Sequence, residues 1–231
     1  MEDLSIVLPT INEAGNVGPL IDALMQTFGE TPVIVVDGGS RDDTSDEAAG
    51  AGARVIENRD GYAASLLQGL NEAGTTWVLV MDADNSHRAD DAIKLWEARE
   101  GADLVVGSRL VKGGGSSGNA LRRFLSRTLA GMFATFARLP ARDVSSGFRL
   151  YRRELFSDAQ PSAKFFEVQP TLLAHAKMKG AKVKEVGIFY HPRNAGRSKN
   201  RIVRYGIAFI GALWRLRRQL RRGGANAVKA G

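Results

Sequence analysis

The chain has 231 residues, 44% of them hydrophobic and 25% charged, a balance that suits a folded globular protein with a sizeable core and not a fibrous or disordered one. It has no cysteine, which excludes disulfides, thiolate metal sites and a thiol nucleophile; with only three histidines, any metal is left mainly to oxygen ligands. A formal net charge of +7 calls for an anionic partner without choosing among phosphate groups, nucleic acid and an acidic membrane surface.

In chain order, residues 4–9 read as a short apolar strand, broken by Thr10-Ile11-Asn12-Glu13. That break can cap a helix over 13–28, with Val17, Leu20, Ile21, Leu24, Met25 and Phe28 at helical spacing. Residues 33–36 form a second buried-type strand that runs into Asp37-Gly38-Gly39-Ser40-Arg41-Asp42-Asp43-Thr44. Glycines there let a ligand approach the backbone, and an acidic side chain can accept from a base N–H or a ribose hydroxyl. The same residues also make an ordinary turn, with Ser and Asp capping the next helix. Residues 54–57 are a third strand, and Asp60-Gly61-Tyr62-Ala63-Ala64 leads into an amphipathic helix through Leu66, Leu67 and Leu70.

Residues 77–81 are a continuous apolar run, the pattern of a strand buried on both faces of a parallel sheet. Asp82 and Asp84 follow it. If the backbone stays extended they point the same way and can share one hard cation. An Asp-x-Asp at a strand end is also common turn and capping chemistry. Residues 89–98 then read as a helix and 104–106 as a strand, so the first ~107 residues alternate strand and helix, which predicts a parallel sheet with helices on both faces. Ligands of such sheets bind outside the carboxyl ends of the strands, where Asp82 and Asp84 fall. Neither a Gly-x-Gly-x-x-Gly after the first strand nor a Gly-Lys-Ser/Thr loop is present, so the usual dinucleotide and P-loop signatures are missing.

Gly107-Ser108-Arg109 ends that strand, and the glycine- and serine-rich stretch 112–118 is a candidate mobile lid. A helix is predicted over 121–139, where Arg122 and Ser126 share a face and can hold a phosphate together, although scattered arginines more often make a solvated basic face. Asp143-Val144-Ser145-Ser146-Gly147-Phe148-Arg149 precedes a strand-like Leu150-Tyr151, then a helix over 165–179 and a last strand over 183–190. Arg193-Asn194-Ala195-Gly196-Arg197-Ser198-Lys199 is a basic glycine loop suited to phosphate oxygens. From Ile202 the chain is basic and amphipathic, which reads either as membrane-surface docking or as a helix packed on the core with its arginines in solvent. The expected organisation is a catalytic domain over 1–200, a basic amphipathic C-terminal helix over 201–222 and a disordered tail over 223–231. No secretory leader and no spanning run of ~18 apolar residues is evident, so a cytoplasmic location is expected.

Several of these segments, in this order, resemble the inverting nucleotide-sugar glycosyltransferases of family 2, and within them the polyprenyl-phosphate sugar synthase branch typified by dolichol-phosphate mannosyltransferase. The carriers are Pro9-Thr10-Ile11-Asn12-Glu13, Val36 to Asp42, Asp82-Ala83-Asp84-Asn85-Ser86-His87, Gly107 to Gly114, Ser146-Gly147-Phe148-Arg149, and Arg193 with Gly196-Arg197-Ser198-Lys199. The resemblance implies an α/β glycosyltransferase A-type (Rossmann-like) fold, a mostly parallel sheet flanked by helices. It places Pro9, Thr10, Glu13 and Asp37 against base and ribose, and Gly61, Ala63 and Ala83 where backbone meets the nucleotide. Asp82 and Asp84, with Ser86 where the family often has glutamine, would hold Mg²⁺ or Mn²⁺ and, through it, the donor diphosphate. Arg193 and Lys199 would neutralise that diphosphate from the other side, while Arg109, Arg122 and Ser126 match the positions that grip the acceptor phosphate. The implied reaction is inverting transfer of a hexose, from a donor of the GDP-mannose or UDP-glucose type, to polyprenyl or dolichyl phosphate at the cytoplasmic membrane face.

The sequence departs from the family pattern at Ile11, Gly38, Tyr62-Ala63, Ser86 and Arg88, positions around base and sugar, so the donor's identity stays open. Branch members often carry transmembrane helices after this point; without them, attachment would be peripheral or through a membrane-anchoring partner. A family 2 enzyme acting on a hydroxyl would need a carboxylate base, and no Glu-Asp near a Gln-x-x-Arg-Trp motif is found. A catalytically silent nucleotide-sugar binder is a further reading. A nucleic-acid-binding protein is disfavoured because no recognised nucleic-acid motif occurs.

Overall fold

The computed structural model describes residues 3–117, 138–159 and 168–191. Of the helix expected over 121–139, residues 121–137, with Arg122 and Ser126, lie outside the described residues, as do Arg193, Lys199 and everything from 192 on, while residues 138 and 139 are not helical. Within them, β1 (Leu4–Thr10), β2 (Val33–Asp37), β3 (Arg54–Glu57), β4 (Trp77–Val80), β5 (Leu104–Ser108), β7 (Arg149–Arg152) and β8 (Val183–Gly187) make one seven-stranded sheet. Its order is β3-β2-β1-β4-β7-β5-β8. All neighbours run parallel except β7, which is antiparallel to both β4 and β5.

The continuous apolar runs of β1, β2 and β4 are there because both faces are covered. Val7, Ile34, Val36, Val78 and Val80 point to one core, shared with α3 (Tyr62–Glu72) and α5 (Val168–Met178). Leu4, Ile6, Leu8, Val33, Val35 and Leu79 point to the other, under α1 (Val17–Phe28), α2 (Thr44–Gly50) and α4 (Ala89–Glu97). The period of two along each strand divides one hydrophobic run between two cores. Contact is close enough that a Cβ added at Gly69 in α3 would lie 2.2 Å from Val7 Cγ1. Among the described residues no helix is long and apolar enough to cross a membrane.

Three details were not anticipated. Helix α1 starts at Val17, because Asn12 takes φ 53° and residues 13–16 form a turn instead. The stretch read as one strand over 183–190 is broken at Ile188. β8 stays in the main sheet, while β9 (Phe189–Tyr190) pairs with β6 (Gly115–Ser116) in a two-stranded ladder. The glycine-rich loop, as far as Ser117, is therefore fastened and not free: Gly114 N–H donates to Val111 O, and Ser117 N–H to Tyr190 O. Close packing requires a glycine at two points here, since a Cβ on Gly114 would come within 2.4 Å of Ser108 O and one on the facing Gly187 within 2.4 Å of Lys112 O.

β1 is the switch point of the sheet. The chain leaves it for β2 on one side and returns to β4 on the other, which opens a crevice outside the carboxyl ends of β1 and β4. The reversed strand adds a third wall, because β7 is antiparallel and brings its amino end, Ser145 to Gly147, to the same edge.

Candidate active site

One side of the crevice is built from two loops joined to one another. Backbone N–H groups of the post-β1 loop donate to side chains of the post-β2 loop and of the helix that follows it: Asn12 to Ser40 Oγ, Glu13 to Thr44 Oγ1, Ala14 to Asp42 Oδ2, and Gly15 to Glu47 Oε2. Arg41 N–H returns a bond to Asn12 Oδ1. These bonds satisfy the donors that the delayed start of α1 would leave unpaired.

Register puts Thr10, Asp37 and Glu57 in one row at the strand ends. Asp37 accepts from Ser40 N–H and Oγ through one oxygen and from Ser45 Oγ through the other. Burial works against its charge, yet the hydrogen bonds from Ser40 and Ser45 outweigh it and hold the carboxyl below the ordinary aspartate value. Thr10 donates its hydroxyl to Leu8 O, and Asn16 Nδ2 donates to Glu13. Gly61 precedes α3 with φ 100°, which a side chain would strain. Ala63 and Ala83 are buried in the two cores, so a nucleotide could meet only their backbone.

At the end of β4 the chain bends over residues 83–87, and Asn85 takes φ 61°. The extended Asp-x-Asp is thus replaced by a tight turn, closed by Ser86 N–H donating to Asp84 Oδ1 at 3.0 Å. Asp84 and Ser86 are buried, and Asp82 is half-buried. Ser86 Oγ is enclosed with no hydrogen-bond partner. An orphaned hydroxyl beside two carboxylates fits an oxygen-ligand cation. Among the described residues no cluster of three or more His, Cys, Asp or Glu could hold a metal, so a cation here would draw its remaining ligands from substrate and water, as Mg²⁺ does with phosphates.

Arg109 follows β5 and is clamped by Asp143. Nε and Nη2 donate to the two carboxylate oxygens at 2.7 Å each, the backbone N–H of Arg109 adds a third bond, and Nη2 also donates to Ser145 Oγ. Burial opposes both charges, but each partner's hydrogen bond prevails: Asp143 is held below the carboxylate range and Arg109 stays firmly cationic. Arg109 also lies 5.6 Å from the Tyr190 ring. With Asp82, His87, Ser145, Ser146, Gly147, Ile188 and Tyr190 it lines a cavity of about 170 Å³. Asp82 and Arg109, one read from the sequence as a metal ligand and the other as a phosphate ligand, thus line the same cavity.

His87 and Tyr190 were not singled out as site residues. The position of His87, immediately after the acidic turn, was the one available signal; Tyr190 gave none, because its strand was read as unbroken. His87 is buried, stacks on Phe148 at 4.7 Å and meets Tyr190 edge-on. Burial depresses its pKa to about 4, with Asp84 opposing and Arg109 assisting. A histidine held neutral in the fold binds fewer protons than the unfolded chain between its folded value and ~6.5. Its contribution is therefore full above pH ~6.5 and is lost as pH falls toward about 4. We expect the unfolding free energy of the metal-free protein to drop by about 3 kcal/mol across that window. Urea titrations at several pH values check this, and the His87→Gln variant should lose most of the slope.

Comparison with known proteins follows these lines. Residues 5–159 match glycosyl transferase family 2. The chain is 30% identical over 198 residues to glycosyltransferase AglJ of Haloferax volcanii, covering 84% of this chain and 65% of that protein. It is 31% identical over 210 residues to polyprenol monophosphomannose synthase of Mycolicibacterium smegmatis, covering 84% of this chain and 79% of the relative. Among solved structures it is similar to glucosyl-3-phosphoglycerate synthase from Mycobacterium tuberculosis in complex with Mn²⁺, UDP and glucosyl-3-phosphoglycerate. The TM-score is 0.74 at 21% identity, over 93% of this chain and 79% of that one, a likeness of fold.

Proposed function

This chain belongs to glycosyl transferase family 2 and is a glycosyltransferase; from that premise we propose that it moves a hexose, with inversion, from a nucleotide sugar to a polyprenyl phosphate. One observation carries the reading: Asp82 and Arg109 line a single cavity, so a metal-bound diphosphate and an acceptor phosphate could meet there. The polyprenol monophosphomannose synthase relative supports the acceptor class, and the fold neighbour crystallised with Mn²⁺ and UDP supports a divalent cation and a nucleotide.

The chemistry needs no dedicated base. A phosphate monoester is already anionic at neutral pH, so it can attack the anomeric carbon in line, and the protein's task is alignment and charge stabilisation. A cation held by Asp82, Asp84 and Ser86 would neutralise the departing nucleoside diphosphate. Arg109, fixed by Asp143 and Ser145, would hold the incoming phosphate; Arg122 and Ser126 would share it, and Arg193 and Lys199 would approach the leaving group. Ile188 and Tyr190, which line the cavity, would keep water from the anomeric carbon. The residues from Ile202 onward would rest at the membrane surface.

The test is a donor panel of GDP-mannose, UDP-glucose and related nucleotide sugars with a polyprenyl phosphate in detergent and Mn²⁺ or Mg²⁺. The expected product is a sugar phosphate lipid of inverted anomeric configuration, formed from one or two donors. Products formed only on a soluble acceptor such as 3-phosphoglycerate would overturn the lipid assignment.

A further inference from the structure

Behind Asp82 lies a polar network that the mechanism does not use. Tyr62, at the first position of α3, has its hydroxyl within 3.1 Å of Gln169 Nε2 in α5. Gln169 is wholly buried. Its side-chain oxygen faces the Tyr151 hydroxyl at 3.4 Å, and its backbone oxygen accepts from Arg149 Nη1 at 2.9 Å. Because the Gln169 amide can only donate through Nε2, the Tyr62 oxygen must accept there, and its own hydrogen is turned elsewhere. Gly147 shows where. A Cβ built on it would lie 3.0 Å from the Tyr62 hydroxyl oxygen, 3.5 Å from Asp82 Oδ1 and 3.6 Å from Gln169 Nε2. Phenol, carboxylate and amide crowd one point that only a glycine leaves open.

We propose that Tyr62, aimed by Gln169, donates its hydroxyl hydrogen to Asp82 and so fixes the carboxylate in the orientation that receives the divalent cation. Tyr62 is a positioning residue, acting through Asp82, and the inference rests on the metal role proposed above. Burial, and then the charge of Asp82, push the phenol well above its ordinary pKa, so it remains a donor across the working range. Groups that orient a metal's ligands typically change metal affinity by about 10–100-fold when removed.

The experiment measures Mn²⁺ binding directly, by electron paramagnetic resonance of the free ion, in the wild-type protein and in Tyr62→Phe, Gly147→Ala and Asp84→Asn. Tyr62→Phe keeps the ring and its packing, and its folding is checked by thermal melting. The expected result is Mn²⁺ affinity about tenfold weaker in Tyr62→Phe, with transfer restored toward the wild-type rate as metal is raised. A purely structural role would lower the rate at every metal concentration. Gly147→Ala, whose methyl would press on both oxygens, should weaken Mn²⁺ in the same direction, and it carries the test if Tyr62→Phe does not fold. Wild-type Mn²⁺ affinity in either folded variant would overturn the proposal. Unchanged binding in Asp84→Asn, or no binding by the wild-type protein, would instead remove the metal site itself and this inference with it.

Discussion

Replacing Asp84 by asparagine is expected to cut metal-supported sugar transfer by about 10³-fold while leaving the fold intact. The size follows from the leaving group. A cation held by Asp82 and Asp84 would supply several kcal/mol of charge stabilisation to the departing diphosphate, and each ~1.4 kcal/mol is a factor of ten in rate. Asparagine is the informative choice because Asp84 Oδ1 also closes the turn by accepting from Ser86 N–H, a bond an amide oxygen can still make. Alanine would open the turn and confuse loss of metal with loss of structure. A steady-state assay over a range of Mn²⁺ concentrations decides the matter: transfer undiminished in the variant would remove the metal role.

The second large effect is on stability. Arg109→Ala strips the partner from a carboxylate that is completely buried. Breaking a buried pair costs about 3–5 kcal/mol, and because the Arg109 side chain is itself 29% exposed the lower end applies, about 3 kcal/mol. For a chain of this size that is a fall in Tm of about 10 °C. The deficit should also depend on pH. Asp143 has a depressed pKa in the native protein, so the pair's contribution is present above the ordinary aspartate value and is lost as pH falls through the depressed one. In the variant, protonating Asp143 relieves an unpaired buried charge, so the gap between the two melting curves should narrow near pH 4. A constant gap from pH 7 to pH 4 would show that packing, and not the ion pair, accounts for the loss. Arg109→Lys keeps the charge but loses the two-pronged fork and should fall between. Activity losses in any Arg109 variant must be read against this destabilisation before they are assigned to the acceptor phosphate.

The parts of the fold legible in the sequence are those with a local signature. Strands β1, β2 and β4 announce themselves as unbroken apolar runs because both faces are buried, and α1, α3 and α4 by their helical spacing. Leu150-Tyr151 also reads as strand-like, but nothing local tells that the strand runs against its neighbours, since direction is set by distant pairing partners. The break at Ile188 was hidden for a similar reason: residues 183–190 read as one strand, and the close approach of Gly187 to Lys112 beside the break joins segments far apart in the chain. In the candidate site, Asp82 and Asp84 stand out in the sequence by their position at a strand end, and Arg109 only through the family resemblance. The use of Asp143 as the clamp on Arg109, and the approach of Tyr62 to Asp82, depend on residues 34 and 20 positions apart, which no spacing rule relates. Gly114 and Gly115 of the post-β5 loop misled in the other direction, since they mark tight packing there and not freedom.

The reversed strand has a consequence for how the chain reaches this shape. β3, β2, β1 and β4 come from the first 80 residues and can pair as soon as they exist, but β7 alone joins them, strand to strand, to β5 and β8. Until residue 149 emerges, β4 and β5 each present an open, apolar edge, the state in which one chain is most prone to adhere to another. Closing the sheet must therefore wait on a contact spanning some seventy residues, a slow step whose loop-closure entropy is lost before the strand repays it. The same late arrival delivers Gly147 to Asp82, so the edge that carries the candidate site and the middle of the sheet are completed in one event.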